Sequence, residues 1–96
     1  MRKKIEFLNR LFDTIKCRND VLQFLKEEKL IDDNLMQAVL HEHHTQHAPR
    51  IAGMLDELQR ADKLQLVDYE WQILPKELVK LTLVSKTSKK DFTYSV

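Results

Sequence analysis

The stretch Leu66-Val67-Asp68-Tyr69-Glu70-Trp71-Gln72-Ile73 (LVDYEWQI) decides the fold class of this chain. Val67, Tyr69, Trp71 and Ile73 are apolar and alternate with Asp68, Glu70 and Gln72. A period of two is the mark of a strand that buries one face and wets the other. Two weaker alternations follow it. One is Val79, Leu81 and Leu83 against Lys80 and Thr82; the other is Phe92, Tyr94 and Val96 against Thr93 and Ser95. The segment SKTSKKD between them is a polar connector, predicted to be longer than a tight hairpin turn.

Upstream the period is helical. Ile5, Leu8, Leu11, Phe12 and Ile15 recur every three to four residues and predict an amphipathic helix. Asn19 or Asp20 can cap a second, short helix carrying Val21, Leu22, Phe24 and Leu25, and Asp32 or Asp33 a third carrying Leu35, Met36, Val39 and Leu40. Arg50 to Lys63 reads as helix, with Ile51, Met54, Leu55 and Leu58 on one stripe. Pro49 either sits in the first turn of that fourth helix or kinks one long helix. The expected class is therefore α+β: an N-terminal bundle of about four helices (1–63), then a three-stranded antiparallel sheet (64–96). A sheet this small cannot leave its apolar face bare, so either the helices fold back over it or another chain does. Val96 falls inside an apparent strand, which adds the expectation of an unprotected edge.

Composition narrows the function. With 43% hydrophobic and 32% charged residues, the chain is of the soluble globular type. A formal net charge of +1 is no electrostatic footprint for nucleic acid. Cys17 is the single cysteine, which precludes an internal disulfide and suits a reducing, cytoplasmic setting. The start MRKKIEFLNRLF opens like a signal peptide, but Glu6, Asn9, Arg10 and Asp13 interrupt any apolar run. No segment approaches the ~20 apolar residues of a membrane span. One glycine cannot build a glycine-rich phosphate loop, and no catalytic constellation or cofactor motif is present, so an enzyme is not expected.

All four histidines stand within His41-Glu-His-His-Thr-Gln-His47. His43 and His47, four apart, are the candidate metal pair, yet no spacing supplies further ligands and the order fails His-Glu-x-x-His. The plainer reading is preferred: if one helix continues past Pro49, then Leu40, His44, His47, Ile51, Met54 and Leu58 form a seam. His44 and His47 are then packed and hydrogen-bonded, and the other two histidines are wet.

The longer segment HAPRIAGMLDELQRADKLQLVDYEWQI resembles the start of a COMM domain. His47, Ile51 and Leu55 match the family's helix, and Leu66, Val67, Asp68, Tyr69, Trp71 and Ile73 match its first strand. ELVKLTLVSKTSKKDFTYSV is similar to its second and third strands. The connector after the first strand is shorter than usual, and the family's C-terminal helix, which packs on the sheet and takes part in dimerisation, has no counterpart before Val96. The resemblance implies a non-catalytic scaffold that assembles with other COMM-domain subunits into hetero-oligomers. Such proteins act in endosomal cargo recycling and in control of NF-κB signalling and ubiquitin ligases. Val67, Tyr69, Trp71, Ile73, Leu81, Leu83 and Phe92 are then the expected partner interface, their alternative being an ordinary intramolecular core.

A second reading is a winged-helix nucleic-acid binder acting as a transcriptional regulator. Helices precede a β-hairpin, Arg50 and Arg60 lie on the last helix, and Lys86, Lys89 and Lys90 form a basic wing tip. Asp56, Glu57 and Asp62 on or beside that helix oppose it, because the phosphate term needs a basic face.

Overall fold

The computed structural model describes residues 2–12 and 15–95. Four helices precede three strands: α1 (Arg2–Phe12), α2 (Ile15–Glu27), α3 (Asp33–His41), α4 (His44–Arg60), β1 (Leu64–Gln72), β2 (Leu78–Ser85) and β3 (Lys89–Ser95). The α+β class and the order of its elements are as the sequence predicts. The strands form an antiparallel meander, β1-β2-β3.

Each helix follows its apolar stripe. Phe7, Leu8, Leu11 and Phe12 bury one side of α1; Cys17, Val21, Leu22, Phe24 and Leu25 do so for α2; Ile51, Met54 and Leu55 for α4. Asp32 caps α3, its carboxylate accepting from the Leu35 N–H at 2.7 Å. Both long helices end on a left-handed residue that is not glycine, Lys29 (φ 61°) after α2 and Asp62 (φ 59°) after α4. The Leu30 N–H then reaches back to the Leu25 carbonyl (2.9 Å), and the Lys63 N–H to that of Leu58 (3.0 Å). These bonds satisfy carbonyls that the helix ends would otherwise orphan.

Several boundaries differ from the expected ones. Ile15 belongs to α2 rather than to the first helix, and it is exposed. Asn19 and Asp20 lie inside α2 instead of capping it, because the stripe already begins at Cys17. No single helix runs through the histidines: α3 stops at His41, the Glu42 N–H closes on the Val39 carbonyl, and His43 caps α4. Pro49 therefore sits in the second turn of α4, where its missing N–H leaves the Thr45 carbonyl without its usual helical donor. The connector after β2 is also tighter than expected. Val84 pairs with Lys89, and the Ser85 N–H meets the Ser88 carbonyl at 2.8 Å. Expected positions at Ile5, His44 and Val96 fall outside the described side chains.

Register places Tyr69 beside Leu81 and Phe92, and Trp71 beside Val79 and Tyr94, all on one face. The helices fold back over that face. Val79, Leu81 and Leu83 are fully buried and Phe92 nearly so, in one core that also contains Phe7, Leu11, Phe24, Ile51 and Leu55. Phe24 meets Phe92 edge-on with ring centroids 5.9 Å apart, a favoured aromatic arrangement. The opposite face is polar. Across it run Asp68, Thr82 and Asp91, then Glu70, Lys80 and Thr93. Thr82 is buried there between its neighbours and donates to Asp91 at 2.8 Å.

A bulge interrupts β1 between Leu66 and Asp68. It shifts the alternation by one, so Leu64 and Leu66 share the covered face with Tyr69 and Trp71, while Val67 is the extra residue. The simple alternation starting at Val67 cannot show this.

Candidate interaction edge

β1 is an edge strand, and the helices cover its second half only in part. Val67 (51% exposed), Tyr69 (44%) and Trp71 (38%) run along it, followed just past its end by Ile73 (63%) and Leu74 (81%). Apolar side chains on an open strand edge are costly to leave in water and are the usual site of strand addition. The seven expected interface residues thus divide in two. Leu81, Leu83 and Phe92 are covered by this chain's own helices, whereas Val67, Tyr69, Trp71 and Ile73 are left partly exposed.

Helix α1 fixes the two aromatic residues of this edge. The Phe7 ring lies 4.9 Å from that of Tyr69, tilted by 42°. Trp71 donates its indole N–H to Glu77 Oε1 at 3.0 Å. Glu77, just before β2, is in turn gripped by Arg10, whose Nε and Nη2 donate to its two oxygens at 2.6 and 2.8 Å. Such a fork sets carboxylate orientation as well as charge. These hydrogen bonds from Arg10, and secondarily that from Trp71, hold the Glu77 carboxyl below its ordinary value. Glu6, Phe7, Tyr69, Trp71 and Ile73 together line an open cleft of about 460 Å³. The part played by Arg10, Glu77 and Phe7 has no signal in the sequence, because the fork joins residues 67 apart in the chain.

His43 and His47, the candidate metal pair, each engage protein groups. His47 is half-buried; Arg18, which can only donate, gives a hydrogen bond to its Nδ1 (2.8 Å), so its Nε2–H donates to the Glu42 carbonyl (3.0 Å). Both ring nitrogens are thereby engaged. His43 uses Nδ1 on Thr45 as a helix cap. Among the described residues no group of three His, Cys, Asp or Glu is arranged to hold a metal ion.

Of the remaining candidates, the two arginines are paired with carboxylates. Arg50 pairs with Glu42 at 3.4 Å and Arg60 with Asp56 at 3.1 Å. Lys90 lies over the Phe92 ring, 5.5 Å from its centroid. Lys86 and Lys89 flank the β2–β3 turn and are exposed. Cys17 is fully buried; that burial, with a smaller push from Asp20, raises its thiol to about 12, so it stays protonated and unreactive at neutral pH. Tyr94 donates to Asp20 and is likewise raised, chiefly by burial. Glu28 accepts from the hydroxyls of Ser85 and Thr87, which hold its carboxyl below the ordinary value and tie the α2–α3 turn to the β2–β3 turn. Among the described residues no helix is long and apolar enough to cross a membrane.

No protein-family model matches the chain, and neither the curated proteins nor the solved structures contain a significant match to it.

Proposed function

We propose that this chain is a non-catalytic protein–protein interaction subunit of the COMM-domain kind, and that the uncovered edge of β1 joins it to its partner. One observation carries the proposal: Val67, Tyr69 and Trp71 on an edge strand, and Ile73 just past its end, stay partly exposed where the bundle covers the strand incompletely. Tryptophan and tyrosine are the residues that most often supply binding energy at interfaces. On this reading the partners are other COMM-domain subunits, assembled into cytoplasmic hetero-oligomers that serve endosomal recycling and NF-κB control. The nucleic-acid alternative has the weaker support: Arg50 and Arg60 are each paired with a carboxylate, which leaves Lys86, Lys89 and Lys90 as its exposed residues outside the ion pairs of the described residues.

The test is an affinity capture of the tagged full chain from a eukaryotic lysate treated with nuclease, compared with Ile73→Lys. Ile73 is 63% exposed, so the variant should keep its thermal stability within about 0.5 kcal/mol. COMM-domain proteins should be recovered by the original chain and lost by the variant. Equal recovery by both, or recovery that vanishes with nuclease, refutes the proposal.

A further inference from the structure

The cleft beside Trp71 has a chemistry more specific than an apolar edge. Phe7 is buried and forms its floor; Tyr69 and Trp71 present half-exposed rings, and Ile73 adds an aliphatic wall. The one charged side chain among its lining residues is Glu6, which is exposed and whose carboxylate belongs to no ion pair among the described residues. Glu77, the other carboxylate close to the indole, is already neutralised by Arg10. Aromatic faces with an adjacent uncommitted carboxylate favour a cation. A planar guanidinium fits better than a compact ammonium, because it can stack on a ring and still direct N–H donors at a carboxylate. The Arg10–Glu77 fork holds the indole N–H, and so restricts the ring before any partner arrives.

In the register centred on Tyr69, a second copy of this chain is a poor occupant. If β1 paired antiparallel with its own copy about Tyr69, Asp68 of each strand would face Glu70 of the other, and like charges directly opposite are destabilising. A basic residue on the incoming strand avoids this.

Resting on the proposed docking role of β1, we propose that the cleft lined by Glu6, Phe7, Tyr69, Trp71 and Ile73 receives an arginine side chain of a partner polypeptide lying along the β1 edge. Glu6 is its counter-ion and the Tyr69 and Trp71 rings are its stacking surface.

Trp71 is the only tryptophan in the chain, so its fluorescence reports this cleft alone. The full chain is titrated with the peptide Ac-Val-Arg-Val-NH2 and with the same peptide carrying citrulline, which keeps the shape and removes the charge. The arginine peptide should bind with a Trp71 signal, and roughly fivefold more tightly than the citrulline peptide. Glu6→Gln, an exposed change that leaves the fold intact, should abolish most of that preference, and added salt should narrow it. Equal binding of the two peptides overturns the arginine assignment and leaves strand docking standing. Binding of neither overturns both. Preference retained in Glu6→Gln removes Glu6 from the site and overturns the assignment as stated.

Discussion

Trp71→Ala separates a residue that holds the fold together from one that faces a partner. Trp71 is 38% exposed, so about 120 Å² of the roughly 200 Å² that such a side chain can bury is withdrawn from water. At ~25 cal/mol per Å² that burial is worth about 3 kcal/mol at most. A compact unfolded chain and the β-carbon retained by alanine lower the expected loss to about 2 kcal/mol. The indole hydrogen bond adds little, because Glu77 keeps both bonds from Arg10. Leu81→Ala is the control: Leu81 is fully buried at the centre of β2, and its truncation should cost about 3 kcal/mol or more. Urea unfolding followed by far-ultraviolet circular dichroism reads both variants without needing the tryptophan. Trp71→Ala should lower the midpoint less than Leu81→Ala with an unchanged slope. A loss for Trp71→Ala above that of Leu81→Ala, or one that grows with protein concentration, would mean that something else covers the indole in solution. A loss near zero would mean that the ring does not pack on the edge at all.

Acid provides a second check. Glu77 and Glu28 both have folded values below the ordinary carboxylate value of about 4.5. A depressed carboxyl contributes stability that is present above its unfolded value and disappears as pH falls through the folded one. Stability should therefore hold from neutral pH down to about pH 5 and decline below it. Glu77→Gln and Glu28→Gln should each make that decline shallower in thermal melts between pH 3 and 7; an acid limb unchanged in both variants contradicts the assigned hydrogen bonds. Lys29→Gly should stabilise the chain by roughly 0.5–1 kcal/mol, because glycine adopts the left-handed φ of 61° found there without a β-carbon penalty. A loss of stability in urea unfolding would show that the Lys29 side chain contributes more than its backbone costs.

Element type was legible wherever the apolar period was long, and least legible where tertiary contacts decide. The strands announced themselves at Trp71, Leu81 and Phe92, and the α4 stripe at Ile51, Met54 and Leu55. The bulge at Val67 was hidden, because a one-residue slip leaves the apolar residues looking regularly spaced. The break at Glu42 and His43 was hidden too, having neither glycine nor proline to mark it. As for the site, the residues named around Trp71 were found on the sheet except Ile73, which lies just past β1, but sequence cannot say which of them the helices cover. Leu83 and Tyr69 look equally apolar in the sequence, yet one is fully buried and the other half-exposed. That difference follows the strand order: Leu83 stands on the central strand and Tyr69 on the edge strand.

The meander has a consequence for how fast the chain reaches its structure. Each strand pairs with its immediate successor, and the β2–β3 turn closes between Val84 and Lys89, so the hairpins form over short loops. Contacts between bundle and sheet span far more chain: 67 residues for Arg10 to Glu77, 74 for Asp20 to Tyr94. The entropy of long loop closure is therefore concentrated in one event, the docking of helices onto a nascent sheet. Stopped-flow refolding should find Tyr94→Phe slowing folding, and changes at Lys86 in the turn leaving the folding rate unaltered. The reverse pattern would make hairpin closure, rather than docking, the barrier.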